Sequence, residues 1–163
     1  MLFYVYGGKL SDDDLKANAK DLIDAADKYG VVSLKLEAEA FYFKSTKLTI
    51  DNILDNLLYA DSKNCALLKE AVMDFILKNS DDVMDKVSFD DVPGSTVKDL
   101  LAAVKRGKKE EGGGSSVDPS NFNTMRVGTL RRMLCEKGLE VDGSREAMIS
   151  LLKENNDEDH AEE

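Results

Sequence analysis

Ala25-Ala26-Asp27-Lys28-Tyr29-Gly30-Val31-Val32-Ser33-Leu34-Lys35-Leu36-Glu37-Ala38-Glu39 decides the fold of the first part of the chain. Leu22, Ile23, Ala26 and Tyr29, then Val31, Leu34 and Ala38, recur at the three- and four-residue spacing that lines one face of a helix. Gly30 interrupts the pattern, so the spacing predicts two helices with a break at that residue.

Upstream, Ser11 followed by Asp12, Asp13 and Asp14 reads as a helix start: a hydroxyl to accept backbone N–H bonds, and acids suited to the positive end of the helix dipole. Before it, Leu2 to Tyr6 is an aromatic and branched run stopped by Gly7-Gly8, which predicts a short buried strand or a helix end. Downstream, Leu48-Thr49-Ile50-Asp51-Asn52 reads as another start, with Thr49 as cap and Ile53, Leu54, Leu57 and Leu58 as the apolar stripe. A further helix is predicted from Ala66 to Lys78, ended by Asn79-Ser80. Val83-Met84 and Phe89 read as a short helix, Pro93-Gly94 as a turn, and Val97, Leu100, Leu101 and Val104 as the face that completes the module.

From Lys105 to Ser116 there is no apolar residue, so residues 105–121 are expected to be a flexible Gly/Ser/Lys linker. A second apolar pattern spans residues 122–155. Val127, Leu130 and Leu134 share a helical face ended by Gly138-Leu139. Asp142-Gly143-Ser144 opens another helix, with Asp142 as cap and Met148, Ile149, Leu151 and Leu152 inward. Residues 156–163 carry five acids and read as a solvated tail. The fold class expected is mainly α: a helical module and a small helix–extended–helix module joined by a flexible linker.

The motifs of the first module resemble the BTB (POZ) family. Its Ala-Ala-Asp-x-Tyr helix matches Ala25-Ala26-Asp27-Lys28-Tyr29, and its Leu-Lys-x-x-x-Glu helix matches Leu34-Lys35 with Glu39. Phe3-Tyr4-Val5-Tyr6-Gly7-Gly8 looks like the family's last strand and Tyr-x-Gly turn. Leu48 to Asn52 and Ala60-Asp61 through Leu68-Lys69 resemble the helices that follow it, and Phe75-Ile76 with Phe89 to Leu101 looks like the start of a BACK extension. Residues 1–43 then correspond to the C-terminal part of a BTB domain and 44–104 to a BACK-like extension. Ala38 stands where many members have Cys. The front half of a BTB domain does not precede the strand, so either the gene product is longer or the module has diverged. Self-association through Leu2 to Val5 is expected in that case. The resemblance implies protein–protein interaction, often as the adaptor that links a substrate to a cullin ubiquitin ligase. It places Tyr29 on the cullin-facing side, although the hydrophobic-x-Glu element that completes that surface belongs to the front half. The alternative at Tyr29 is a ring packed against its own module.

Residues 122–155 resemble a SAP domain, the helix–extended–helix module of chromatin-associated proteins. Its pattern is matched without a gap by Val127, Leu130, Leu134, Gly138-Leu139, Gly143-Ser144-Arg145 and Met148-Ile149. Backbone N–H groups at Gly143 and Ser144 would face a phosphate at a helix N-terminus. Arg145 would add a charge beside them, and Arg126, Arg131, Arg132 and Lys137 would extend the contacts. Six bases against five acids in this stretch, with Leu151 where the family usually carries a base, imply weak, salt-sensitive binding to DNA. The alternative is an ordinary solvated face.

Composition bounds the rest. The chain has 163 residues, 42% of them hydrophobic and 33% charged, with 32 acids against 22 bases and a net charge of −10. That balance excludes a surface that coats nucleic acid as a whole. Cys65 and Cys135 read as reduced thiols. His160 is the only histidine, which removes His-centred catalysis and zinc. Asp12, Asp13 and Asp14 lack calcium-loop spacing, and Gly112-Gly113-Gly114 lacks the Lys-Ser/Thr of a phosphate loop. No cofactor and no enzyme activity are expected. The N-terminus lacks a signal-peptide pattern, and no apolar run approaches the roughly 18 residues of a membrane helix, so a nuclear or cytoplasmic location is expected, with no membrane partner. Lys105-Arg106-Gly107-Lys108-Lys109 reads as a nuclear-import signal or as a basic spacer. The combined expectation is an adaptor whose helical module binds proteins (a cullin scaffold and a substrate) and whose SAP-like module binds DNA or chromatin weakly. Its rivals are a chromatin-binding protein whose first module is only structural or oligomerising, and a degenerate fragment.

Overall fold

A computed structural model describes residues 11–110 and 121–161, without the side chains of residues 12, 14, 16, 106–110 and 157–161. The protein is mainly α, as its periodicity indicates, and no strand occurs among the described residues. The strand expected over Leu2 to Tyr6 and the Gly/Ser part of the linker lie outside them. The chain divides into two compact units, Met1–Val72 and Met73–Glu163. The division falls inside a helix.

In the first unit, α1 (Asp12–Tyr29) begins directly after Ser11 and kinks at Asn18. It packs along α2 (Val32–Ser45). Then come α3 (Ile53–Ser62) and the first half of α4 (Ala66–Lys78). Leu15, Ala19, Ile23 and Ala26 form the buried face of α1, one residue per turn. They meet Leu34 and Ala38 of α2, Ile53, Leu57 and Ala60 of α3, and Leu68 and Val72 of α4. Each fully buried Leu or Ile contributes about 1.5–3 kcal/mol.

Two turns of this unit share one design. After α1, the N–H of Val31 donates to Ala26 O (2.9 Å) across Gly30, whose φ is +66°. After α3, the N–H of Cys65 donates to Ala60 O (2.8 Å) across Asn64, φ +51°. Both close the helix with a left-handed residue, which Gly and Asn tolerate best. The sequence around them repeats as well: Ala26-Asp27-x-x-Gly30-x-x-x-Leu34-Lys35 returns as Ala60-Asp61-x-x-Asn64-x-x-x-Leu68-Lys69. In each copy the Asp pairs with the Lys across the turn, Asp27 with Lys35 at 2.8 Å and Asp61 with Lys69. The unit is therefore two helical hairpins built to one plan. The cap before α3 is Asn52 rather than the Thr49 expected: Asn52 Oδ1 accepts the backbone N–H of Thr49 (2.9 Å). The Asn52 side chain makes no bond to the helix's own N–H groups and ties the preceding turn, its Nδ2 donating to Lys47 O (3.0 Å).

The second unit holds the end of α4, α5 (Ser80–Lys86), α6 (Gly94–Glu110), a 3₁₀ turn at Phe122–Thr124, α7 (Val127–Glu136) and α8 (Arg145–Ala161). On α6 the inward residues are Thr96 and Ala103. Val97 and Leu101, expected in the core, are exposed, Leu101 at 57%. Turning the helix by about 100°, one residue step, exchanges these two sets. The helix also runs on through Lys105 to Glu110, the segment expected to start the linker. Lys, Arg and Glu are good helix formers and extend a helix without a core beneath them. Likewise α8 continues from Asn156 to Ala161, into the expected tail. Val127, Leu130 and Leu134 of α7 are fully buried against Met148, Ile149 and Leu152 of α8, with Phe122 closing the cluster. Gly138, φ +69°, ends α7 in the same left-handed way as Gly30, and the N–H of Leu139 donates to Leu134 O (2.8 Å). Arg126 Nη1 pairs with Asp74 of α4, which binds the segment after the linker to a helix before it.

Candidate partner surface and nucleic-acid interface

The residues that carry the first module's motifs separate into internal and external groups. Asp27 and Lys35 pair with each other, and the Lys35 side chain is almost wholly buried. Glu39 is 1% exposed. Its Oε1 accepts the backbone N–H groups of Leu67 (2.8 Å) and Leu68 (3.2 Å), in the first turn of α4. An intact carboxylate there satisfies donors that no helical carbonyl reaches and complements the positive helix end. Sequence spacing could not reveal this, because donor and acceptor lie far apart in the chain.

Tyr29 faces outward, as Asp27 does in part. It terminates α1 immediately before Gly30 and is 62% exposed, so the alternative of a ring packed into its own module does not hold. The ammonium of Lys28 lies 5.5 Å from its ring centroid, which leaves the ring beside a cation at the helix end.

A second polar cluster, missed in the sequence, joins α1 to α2 and α3. Tyr59 Oη donates to Asp24 Oδ1 (3.1 Å) and contacts Lys20 O (3.2 Å). Lys63 pairs with Asp24 (3.2 Å), and Lys20 Nζ sits over the rings of Tyr59 (4.6 Å) and Tyr42 (5.3 Å). Tyr42 Oη donates to Asn56 Oδ1 (2.8 Å). Burial, with the Asp24 carboxylate second, pushes the Tyr59 phenol well above its ordinary value.

In the second unit the residues expected to touch DNA are spread rather than gathered. Arg126 is the N-cap of α7 and Lys137 its C-cap, about 15 Å apart along a ten-residue helix. Arg131, half-buried, and Arg132, exposed, lie between them. Arg145 begins α8, and its Nη2 donates to the backbone oxygens of Asn123 (2.9 Å) and Met125 (2.8 Å). That brings Arg145 to the Arg126 end of α7 and gives its guanidinium an internal task. Gly143 has φ +112°, a conformation that only glycine adopts easily. The cap of α8 is Ser144, not the Asp142 expected: Ser144 Oγ accepts the N–H of Ala147 (3.2 Å). The capping hydroxyl therefore already serves the helix N-terminus that was expected to hold a phosphate. Among the described residues no helix is long and apolar enough to cross a membrane.

No protein-family model and no solved structure matches the chain. Curated relatives do. Over 84 residues, 52% of this chain, it is 36% identical to a BTB/POZ domain-containing protein of Arabidopsis thaliana, of which it covers 29%. It is 28% identical over 89 residues, 55% of this chain, to BTB and MATH domain-containing protein 40 of Caenorhabditis elegans, covering 22% of it. It is 33% identical over 85 residues, 52% of this chain, to TD and POZ domain-containing protein 1-like of Mus musculus, covering 23%. The chain thus spans between 22% and 29% of the length of these relatives. These relatives, named for BTB or POZ domains, support a BTB/POZ-related region over about half of the chain.

Proposed function

We propose that the BTB/POZ-related region is a protein–protein interaction module, that it docks on a cullin ubiquitin-ligase scaffold through Tyr29, and that the chain works as an adaptor. The observation that carries this reading is the division of labour within one motif. Asp27, Lys35 and Glu39 are spent on internal links, while Tyr29 stands 62% exposed at the helix end. Exposed aromatic rings beside a charged rim are what interface hot spots are made of. Titration of a purified cullin scaffold subunit with the chain tests it. Tyr29→Ala should weaken binding by at least about fivefold with the helical circular dichroism unchanged. Equal affinity of the two proteins would remove Tyr29 from the interface.

The second unit adds a SAP-like role in this reading, a weak contact with the DNA backbone. Arg131 and Arg132 on α7, Lys137 at its end, Arg126 before it and Arg145 on α8 would supply the charge, with Gly143 and Ser144 ahead of α8. Duplex binding measured at two salt concentrations tests this second role: Arg131→Glu with Arg132→Glu should weaken it and lower the log–log salt slope by about 0.9 per lost phosphate contact.

A further inference from the structure

The second unit contains an open cleft of about 840 Å³, of a size that accepts a short ligand segment. One wall is α6, which presents Lys98, Ala102 and Lys105. The other is α8, which presents Arg145, Ile149 and Lys153. Both walls follow the same order, a base, an apolar residue and a base, each on one helical face by its spacing. The bases stand about 10 Å apart along α6 and about 12 Å apart along α8. One acid on each wall, Asp99 and Glu146, opposes the four bases, so the cleft is net positive in a chain whose net charge is −10. Asn123 and Thr124 at its end offer amide and hydroxyl groups.

The geometry points to a binding site for an acidic peptide segment of a partner protein, held extended with two carboxylates three residues apart and an aliphatic residue between them. In the polyproline II form such a segment completes a turn in three residues, so its carboxylates share one face about 9 Å apart, close to the spacing of Lys98 and Lys105 on the α6 wall. Its aliphatic side chain, on the next face, turns towards Ile149 on the α8 wall, and its backbone meets the polar end of the cleft. Among the described residues no aromatic side chain lines the cleft to serve as the stacking platform that single-stranded nucleic acid uses. The site goes beyond the cullin and DNA readings and depends on neither. It would give an adaptor the place where it selects what it carries.

The test uses the full chain and a fluorescein-labelled Ser-Glu-Ser-Leu-Glu-Ser peptide in an anisotropy titration, with the Gln-for-Glu peptide as control. The Glu peptide should bind at least roughly fivefold more tightly than the Gln peptide. Lys98→Glu with Lys105→Glu should abolish that preference, and Lys153→Glu should reduce it. These three lysines are exposed, so circular dichroism should not change. Lys78→Glu with Lys86→Glu, at exposed positions of α4 and α5 outside the cleft, should leave peptide binding as in the unaltered chain. Equal binding of the two peptides overturns the proposal, as does full affinity in the α6 variant, or an equal loss from the Lys78 and Lys86 variant. A labelled oligothymidine that binds more tightly than the peptide and is lost in the α6 variant would also overturn it and make the cleft a nucleic-acid site.

Discussion

The carboxylate of Glu39 on α2 accepts the backbone N–H of Leu67 at 2.8 Å, and so one helix caps the next. Leu68 N–H donates to the same oxygen at 3.2 Å, in surroundings that exclude water. Glu39→Ala strands both donors and leaves a void, and it should lower the stability of the chain by about 2–4 kcal/mol. Glu39→Gln keeps the acceptor but loses the charge opposite the helix dipole, and should cost about half as much. Urea denaturation followed by circular dichroism measures both, and an equal loss from the two substitutions would show that charge rather than bonding dominates.

Arg145 has a structural role of its own. Its Nη2 bonds to Asn123 O and Met125 O make it a clamp that holds the 3₁₀ turn on the start of α8, whatever else its guanidinium contacts. Arg145→Ala should destabilise the α7–α8 pair by about 1–3 kcal/mol. In hydrogen exchange, amides of residues 122–127 should lose protection first, while those of α1 to α3 stay as they were.

Several parts of this account were legible in the residues. The break at Gly30, the helix from Ala66 to Lys78, the face made by Val127, Leu130 and Leu134, and the cap at Gly138 each depend on neighbours within a turn or two, where spacing is informative. Other features depend on distant partners. Glu39 reads as one more charged residue of a helix until α4 is folded beside it, and Lys35 until Asp27 reaches across the turn. Caps were misplaced by a few residues, Thr49 for Asn52 and Asp142 for Ser144, because several side chains near a helix start can bond an amide and backbone geometry chooses among them. On α6 the rotational phase was wrong: the polar Thr96 and the small Ala103 turn inward, while Val97 and Leu101 stay outside.

Tyr59 gives the fold an alkaline limit. Burial, with Asp24 beside the hydroxyl, holds the folded phenol above the ordinary value of 10.0 that it takes when unfolded. The folded state therefore keeps a proton that the unfolded state releases. Its contribution is fully present below the unfolded value and is lost as pH rises above it. Stability should fall more steeply with pH above about 10 in the unaltered chain than in Tyr59→Phe, measured by urea titration on either side of that pH.

Hydrogen exchange read by mass spectrometry, with and without a purified cullin scaffold subunit, tests the adaptor account most directly. Tyr29 and Gly30 form an exposed turn between α1 and α2, and residues 29–33 should exchange markedly more slowly in the complex, with α7 and α8 unchanged. Exchange at that turn unaltered by a saturating scaffold, or protection confined to the second unit, would contradict the assignment of Tyr29 as the docking residue.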